Sequence, residues 1–350
     1  SQSENVGPAT FRQLIGRYGS AAAALEVLPE LSVKGGSSRP IRVFSEEDAE
    51  AVMDQARELG ASFVVAGETG YPPLLYHISG APPLLCVKGN LALAELQCVA
   101  IVGARNASAG GRKFARQLSA ELSEEGYLVV SGLARGIDTA AHEAAPQGRT
   151  AAVIAGGIDN VYPPENAELQ KTISESGLLL TEMLPGAVPR AEHFPRRNRI
   201  ISGMSRAIIV VEAALRSGSL ITARLAGEQG RDVFAVPGSP LDPRAEGTNK
   251  LIKEGATLLT SSAEVIEGLR TEYTAMPRTF SEPELPGDEP FEASPSDRKL
   301  VLSLLSPTPI DVDDVIRESR LPAAMVLGIL LELELAGKVS RSAQQKVSLF

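Results

Sequence analysis

Tryptophan is absent from this chain, and aromatic residues make up only 4% of it. An aromatic side chain in a polar loop is therefore conspicuous. Cysteine is nearly as scarce, and Cys86 and Cys98 both fall in apolar runs. Two such residues make no disulfide framework; they read as buried thiols of a reducing compartment. The three histidines, His77, His142 and His193, are scattered, and no CxxC or Cys/His cluster accompanies them. No metal is expected. No run of about 18 or more apolar residues offers a membrane span. No basic stretch leads into an apolar core at the start, so a cytoplasmic location is the expectation. Chemical signatures are missing too. The glycine turn at Gly103 lacks GxGxxG spacing, and neither GxxxxGK[ST] nor GxSxG occurs. No acid–base pair stands out, so neither a catalytic residue nor a cofactor is expected.

What is present fits a soluble, multidomain chain. Its 350 residues exceed one ordinary domain, and 43% of them are hydrophobic. A net charge of -9 excludes a basic nucleic-acid coat. Acids dominate the C-terminal third, whereas arginines crowd the loops of the middle, and local charge decides binding.

The organising stretch runs from Val99 to Asp138. It reads apolar strand, glycine turn, helix, twice over. The turns are Gly103-Ala104-Arg105-Asn106 and Ser131-Gly132-Leu133-Ala134-Arg135-Gly136-Ile137-Asp138. A strand ending in glycine and opening a helix leaves backbone N–H groups that favour phosphate. Further strands follow at 151–155, 178–182, 207–211 and 233–236, with helices between them. Near-continuous apolar strands imply burial on both faces, hence a parallel sheet between helix layers. Right-handed crossovers place the strand-to-helix loops on one edge. The fold class is α/β, with this core at 60–271.

Residues 1–59 read as short helices punctuated by Gly19-Ser20, Pro29 and Gly35-Gly36. They suit nucleic-acid backbone contact or simple docking. Residues 272–295, rich in Pro, Glu and Ser, read as an acidic linker. Residues 296–350 give three helices and a hairpin, a winged-helix-like order. The third helix, 322–336, carries no Lys or Arg to reach phosphate. Protein contact suits it better than major-groove reading.

The expected loop edge gathers Arg105, Arg135, Asp138, Tyr162, the run from His193 to Arg199, the turn Ser217-Gly218-Ser219, and Thr248-Asn249. The run Phe194-Pro195-Arg196-Arg197-Asn198-Arg199 is the most pointed. Arginine forks phosphate oxygens bidentately. An aromatic ring stacks an unpaired base, a contact of roughly 1–3 kcal/mol. Bland alternatives stand beside each piece. The glycines turn the chain, Phe194 belongs to a core, Asp138 caps a helix, or Arg197 or Arg199 pairs with Glu182 or Glu212. An enzyme of the nucleotide phosphoribohydrolase type on a similar sheet is the alternative function, but it would want a carboxylate beside a phosphate loop.

These motifs, with Ala141-His142, Tyr162-Pro163, Pro237-Gly238 and Gly247-Thr248-Asn249, resemble the DNA-processing protein A (DprA, also called Smf) family. The resemblance is strongest over 60–271. It implies an extended Rossmann-like core flanked by an N-terminal helical domain, similar to a sterile-alpha-motif fold, and a C-terminal winged-helix-like domain. It also implies a homodimer that binds single-stranded DNA without a nucleotide cofactor and loads the recombinase RecA during natural transformation. Carried over by motif, Gly103, Arg105, Ser131, Gly132 and Arg135 would grip phosphate, and Phe194 would stack a base. Arg197 and Arg199 would meet the backbone or hold the loop, with Asn198 and Gly218 beside them. The family often has Ser or Thr where Ala104 sits, so a hydroxyl contact is missing there. Apolar residues on the helix at 219–229 are the candidate dimer face.

Overall fold

A computed structural model describes residues 2–145, 148–271, 293–341 and 346–350. Most of the stretch read as an acidic linker, 272–292, and the tip of the C-terminal hairpin, 342–345, lie outside the described residues. The chain falls into two compact units. One is Glu50–Ala275; the other combines Ser1–Ala49 with Met276–Phe350.

The larger unit is built on a sheet of β1 (Ser62–Val65), β2 (Leu84–Gly89), β3 (Cys98–Gly103), β4 (Leu128–Ser131), β5 (Thr150–Val153), β6 (Leu178–Thr181), β7 (Ala207–Val211), β8 (Asp232–Ala235) and β9 (Thr257–Leu258). The strand order is β1-β2-β6-β5-β4-β3-β7-β8-β9. From β6 to β9 every pairing is parallel. At one end of the sheet, the edge strand β1 pairs antiparallel with β2, and β2 pairs antiparallel with β6. Cys86, on β2, and Cys98, on β3, are free and buried; burial pushes the Cys86 thiol up to about 11.

Alternation along β3 shows why both sheet faces are covered. Val99 and Ile101 join one apolar cluster, with Leu118 and Leu122 of α5 (Ala109–Glu124) and Ala140 of α6 (Ile137–Ala144). Ala100 and Val102 join the other, with Ile200 and Ile201 of α8 (His193–Met204) and Ala223 of α9 (Gly218–Glu228). Thus the chain leaves β3 onto one face and leaves its neighbour β7 onto the opposite face. Such a switch opens a crevice at the carboxyl ends of the two strands, where open α/β sheets hold ligands. Between Glu46 and Thr271 the chain also forms α3 (Glu46–Glu58), α4 (Pro73–Tyr76), α7 (Ala167–Ser176), α10 (Glu246–Lys253) and α11 (Ser262–Thr271).

In the smaller unit, α1 (Pro8–Tyr18) and α2 (Ala21–Lys34) pack with a winged helix. The wing comprises α12 (Pro295–Ser303), α13 (Val312–Ser319), α14 (Ala323–Leu335) and a sheet of β10 (Ile310–Asp311), β12 (Lys346–Leu349) and β11 (Val339–Arg341). The third helix, α14, is apolar on more than one face, with Glu332 and Glu334 its charged residues, because two cores claim it. Val326, Ile329, Leu330 and Leu333 fill the winged-helix core. Leu331 and Leu335, one turn apart, pack among Leu14, Leu28 and Leu31 of the N-terminal helices. The ends of the chain, far apart in sequence, therefore share one core. The later turns of the helix that a DNA-reading winged helix would offer to a groove are covered within this unit, while Ala323, Ala324 and Leu327 near its start stay exposed.

Candidate nucleic-acid interface

Both glycine turns end strands at the carboxyl edge, as their sequence implies, but the amides of the second are not bare. In the second turn, Asp138 at the start of α6 folds back. Its Oδ2 accepts the N–H of Gly132 at 3.1 Å and that of Ala134 at 3.3 Å. Burial pushes this carboxyl above its ordinary range, opposed by the Arg197 charge and by the amide donors. Beyond the first turn, another carboxylate meets the N-cap of α5. Glu212, just past β7, accepts the Ser108 N–H at 2.9 Å and the Ser108 hydroxyl.

Four expected ligand contacts are turned inward. Ser131 is fully buried, and its hydroxyl donates to Ile101 O at 2.6 Å. The amide of Gly132 is taken by Asp138, and its carbonyl accepts from Arg197 Nη1 at 2.6 Å. Arg197 is 5% exposed, and the same nitrogen also donates to Val153 O. A side chain at Gly132 would overlap that guanidinium, since a Cβ would stand 2.2 Å from Nη1. Arg199 donates to Gly80 O at 2.7 Å and pairs with Glu182 at 2.6 Å. The physical reason is common to all four. Strand ends buried beneath loops carry carbonyls and carboxylates that need partners, and these groups supply them. Of the internal pairings left open by the sequence, Arg199–Glu182 forms, whereas Glu212 is claimed by Ser108.

Other candidates stay at the surface. Gly103 ends β3 in register with Val211. Arg105 is exposed, and its guanidinium lies 5.6 Å from the centroid of the Phe194 ring, within cation–π range. Phe194, in the first turn of α8, is half-buried. The Tyr162 ring stands 5.3 Å from that of Phe194, inclined by 56°. Arg135 pairs with Glu165 at 2.5 Å, but both side chains are more than half exposed. Such a pair contributes only about 0–1 kcal/mol, so a phosphate can compete for the arginine. Asn198 donates from Nδ2 to the carbonyl of exposed Gly218 at 3.3 Å, joining α8 to the start of α9. The rim thus assembles from three separate loops: Arg105 after β3, Tyr162 after β5 and Phe194 after β6. Tyr162 and exposed Arg196 are the neighbours that single-motif reading underweights. Their signal was an aromatic beside proline and a third arginine in the 194–199 run.

Among the described residues, no group of three or more His, Cys, Asp or Glu side chains is placed to hold a metal ion. No described helix is long and apolar enough to cross a membrane.

Comparison with known proteins gives matches over nearly the whole chain. The family model described as DNA recombination-mediator protein A matches residues 62–270. A DprA-like N-terminal HHH domain matches 1–54, and a DprA winged helix domain matches 284–345. The N-terminal helices, likened above to a sterile-alpha-motif fold, thus match a model of the HHH type. DNA processing protein DprA of Streptococcus pneumoniae is 51% identical over 198 residues, 56% of this chain and 70% of that protein. Protein Smf of Escherichia coli is 41% identical over 273 residues, 77% of this chain and 72% of that protein. The X-ray structure of the S. pneumoniae protein superposes with a TM-score of 0.64 at 41% identity, covering 74% of this chain and 92% of that one. A structure of DNA processing protein A from Helicobacter pylori, described for its single-stranded DNA binding mode, gives a TM-score of 0.56 at 28% identity. It covers 60% of this chain and 97% of that one. With its core matched end to end and both flanking domains accounted for, the chain belongs to the DNA recombination-mediator protein A family.

Proposed function

We propose that this chain is a single-stranded DNA-binding recombination mediator, and that the rim of Arg105, Tyr162, Phe194, Arg135 and Arg196 holds the strand. The convergence of Arg105 and Tyr162 on the Phe194 ring carries the reading. An unpaired base offers a π-face to the aromatic pair while its phosphates meet the arginines. The H. pylori relative, described for binding single-stranded DNA, supports the same choice of ligand. A duplex keeps its bases stacked and has no use for such a platform.

Oligonucleotide titration over a salt series tests this, comparing single strand, duplex and free nucleotides. Phe194→Ala is expected to lower single-strand affinity by roughly 1–3 kcal/mol. Arg105→Ala is expected to weaken every sequence alike and to reduce the salt slope by about one phosphate contact. Unchanged affinity in both variants would return these residues to a purely structural role. Base release from fed nucleotides would instead favour the nucleotide-processing reading.

Delivery of RecA to the bound strand and homodimer formation belong to the same proposal. The half-buried apolar residues Leu220, Ile221 and Leu225 on α9 are the proposed dimer face. A monomer in sedimentation would remove that face. An unaltered lag in RecA filament growth on protein-coated strands would remove the delivery role.

A further inference from the structure

Each arginine of the rim already rests on a neighbour. Arg105 lies against the Phe194 ring, and Arg135 pairs with Glu165 at the surface. Arg196 differs, because the carboxylate beside it is buried. Glu182 directly follows β6, and its side chain is 10% exposed, whereas that of Arg196 is 58% exposed. Arg196 Nε stands 3.9 Å from Glu182 Oε1.

A second arginine fixes that carboxylate. Arg199, three residues along α8 and 15% exposed, donates from Nη2 to Glu182 Oε2 at 2.6 Å, and its Nη1 lies 3.5 Å from Oε1. Its Nε donates to Gly80 O at 2.7 Å, which ties the guanidinium to the loop before β2. Burial pushes the Arg199 pKa down, and the Glu182 charge opposes that. Residues three apart on a helix share a face, so Arg196 and Arg199 meet one anion at different depths. The buried cation takes Oε2. Oε1 is shared with an arginine that reaches solvent. Glu182 is therefore held in place, whereas Glu165, more than half exposed, moves freely with Arg135.

An arginine so placed stands between two anions. A phosphate of a bound strand draws it outward, and Glu182 takes it back when the phosphate leaves. At 3.9 Å and half in water, the Arg196–Glu182 pair is weak enough to yield to a phosphate. What the pair was worth is subtracted from what the phosphate gains.

We propose that Glu182 is a positioning residue that keeps Arg196 at the rim and retakes it on release, so that a polynucleotide strand is held loosely enough to be handed on. This rests on the single-strand reading of the rim. Titration of the full chain with a fluorescent oligothymidylate over a salt series, followed by a chase with unlabelled strand, tests it. Glu182→Gln keeps a hydrogen-bond acceptor for Arg199 and removes the competing charge. It is expected to bind about threefold tighter, chiefly through slower dissociation. Its salt slope is expected to steepen by up to about 0.7, the value of one phosphate contact on a single strand. Adding Arg196→Ala is expected to abolish both changes. Should Glu182→Gln not fold, Glu182→Asp serves, because it keeps a charge for Arg199 and draws it back from Arg196 by one methylene. It is expected to show the same changes in part. An unchanged slope and dissociation rate in the folded variant, weaker binding, or a gain that survives Arg196→Ala would overturn the proposal. A parent that fails to bind oligonucleotide would instead overturn the rim itself, so the two failures are distinguishable.

Discussion

Arg197→Ala is expected to destabilise the larger unit by about 3–5 kcal/mol, whatever it does to DNA affinity. The guanidinium is 5% exposed, bridges the carbonyls of Gly132 and Val153, and lies within electrostatic reach of Asp138. Removing it leaves two carbonyls without their donor and a buried carboxyl without its compensating charge. Asp138 in turn holds the amides of the second turn, so the loop that presents Arg135 would loosen with it. Urea unfolding followed by circular dichroism measures the loss in a chain without tryptophan. The double variant Arg197→Met with Asp138→Asn is expected to recover the part due to the uncompensated carboxyl, because both charges leave together, but not the part due to the two carbonyls, for which Met has no donor. An Arg197→Ala protein of parental stability with lost DNA binding would show that the guanidinium serves the ligand after all.

Acid is expected to weaken the same unit from a second buried group. His142 on α6 is 3% exposed, and its Nδ1 lies 2.6 Å from the Thr150 hydroxyl. That hydroxyl donates to Val129 O at 3.0 Å, so it accepts from His142, and Nδ1 carries the ring proton. Nε2 is buried without a partner. Burial first, and the Arg197 charge second, push the His142 pKa down to about 3. A depressed pKa means that the unfolded chain binds a proton the folded chain refuses. The contribution is therefore whole above the ordinary histidine pKa of about 6.5 and is lost as pH falls towards the folded value, by up to about 1.4 kcal/mol per unit. Asp138 acts in the opposite sense. Its raised pKa gives stability that is present below the ordinary carboxyl range and lost as pH rises through the folded value. Denaturation midpoints at pH 7.5, about 6 and about 5 are expected to fall steadily in the parent and to flatten in His142→Gln, which has no titrating ring. An equal slope in the two proteins would place the acid sensitivity elsewhere.

The sheet was legible in the chain because its signals are local and repeated. Strands such as Val99–Val102 and Ala207–Val211 are apolar on both faces, and glycine turns or short polar loops separate them from amphipathic helices. The antiparallel pair β1 and β2 was not legible as such, since strand direction depends on partners far along the chain. The burial of α14 was half legible. A helix without Lys or Arg was a poor groove reader, but nothing in its sequence named α1 and α2 as what covers it.

For the interface, residue types brought Arg105, Arg135 and Phe194 together with Arg197 and Arg199, and the family motif added Ser131. A guanidinium or hydroxyl near a glycine turn serves a ligand and an orphaned carbonyl equally well, and sequence spacing does not distinguish the two. In the sequence by itself, motifs carried the resemblance to the family, while periodicity and turn chemistry determined the parallel core and the loop edge where arginine and aromatic residues gather. Only the tertiary structure decided which way each side chain faces. Depth below the surface sets whether a charge must find an internal partner, and it turned Arg197, Arg199, Asp138 and Glu212 inward while leaving Arg105, Tyr162 and Phe194 at the rim.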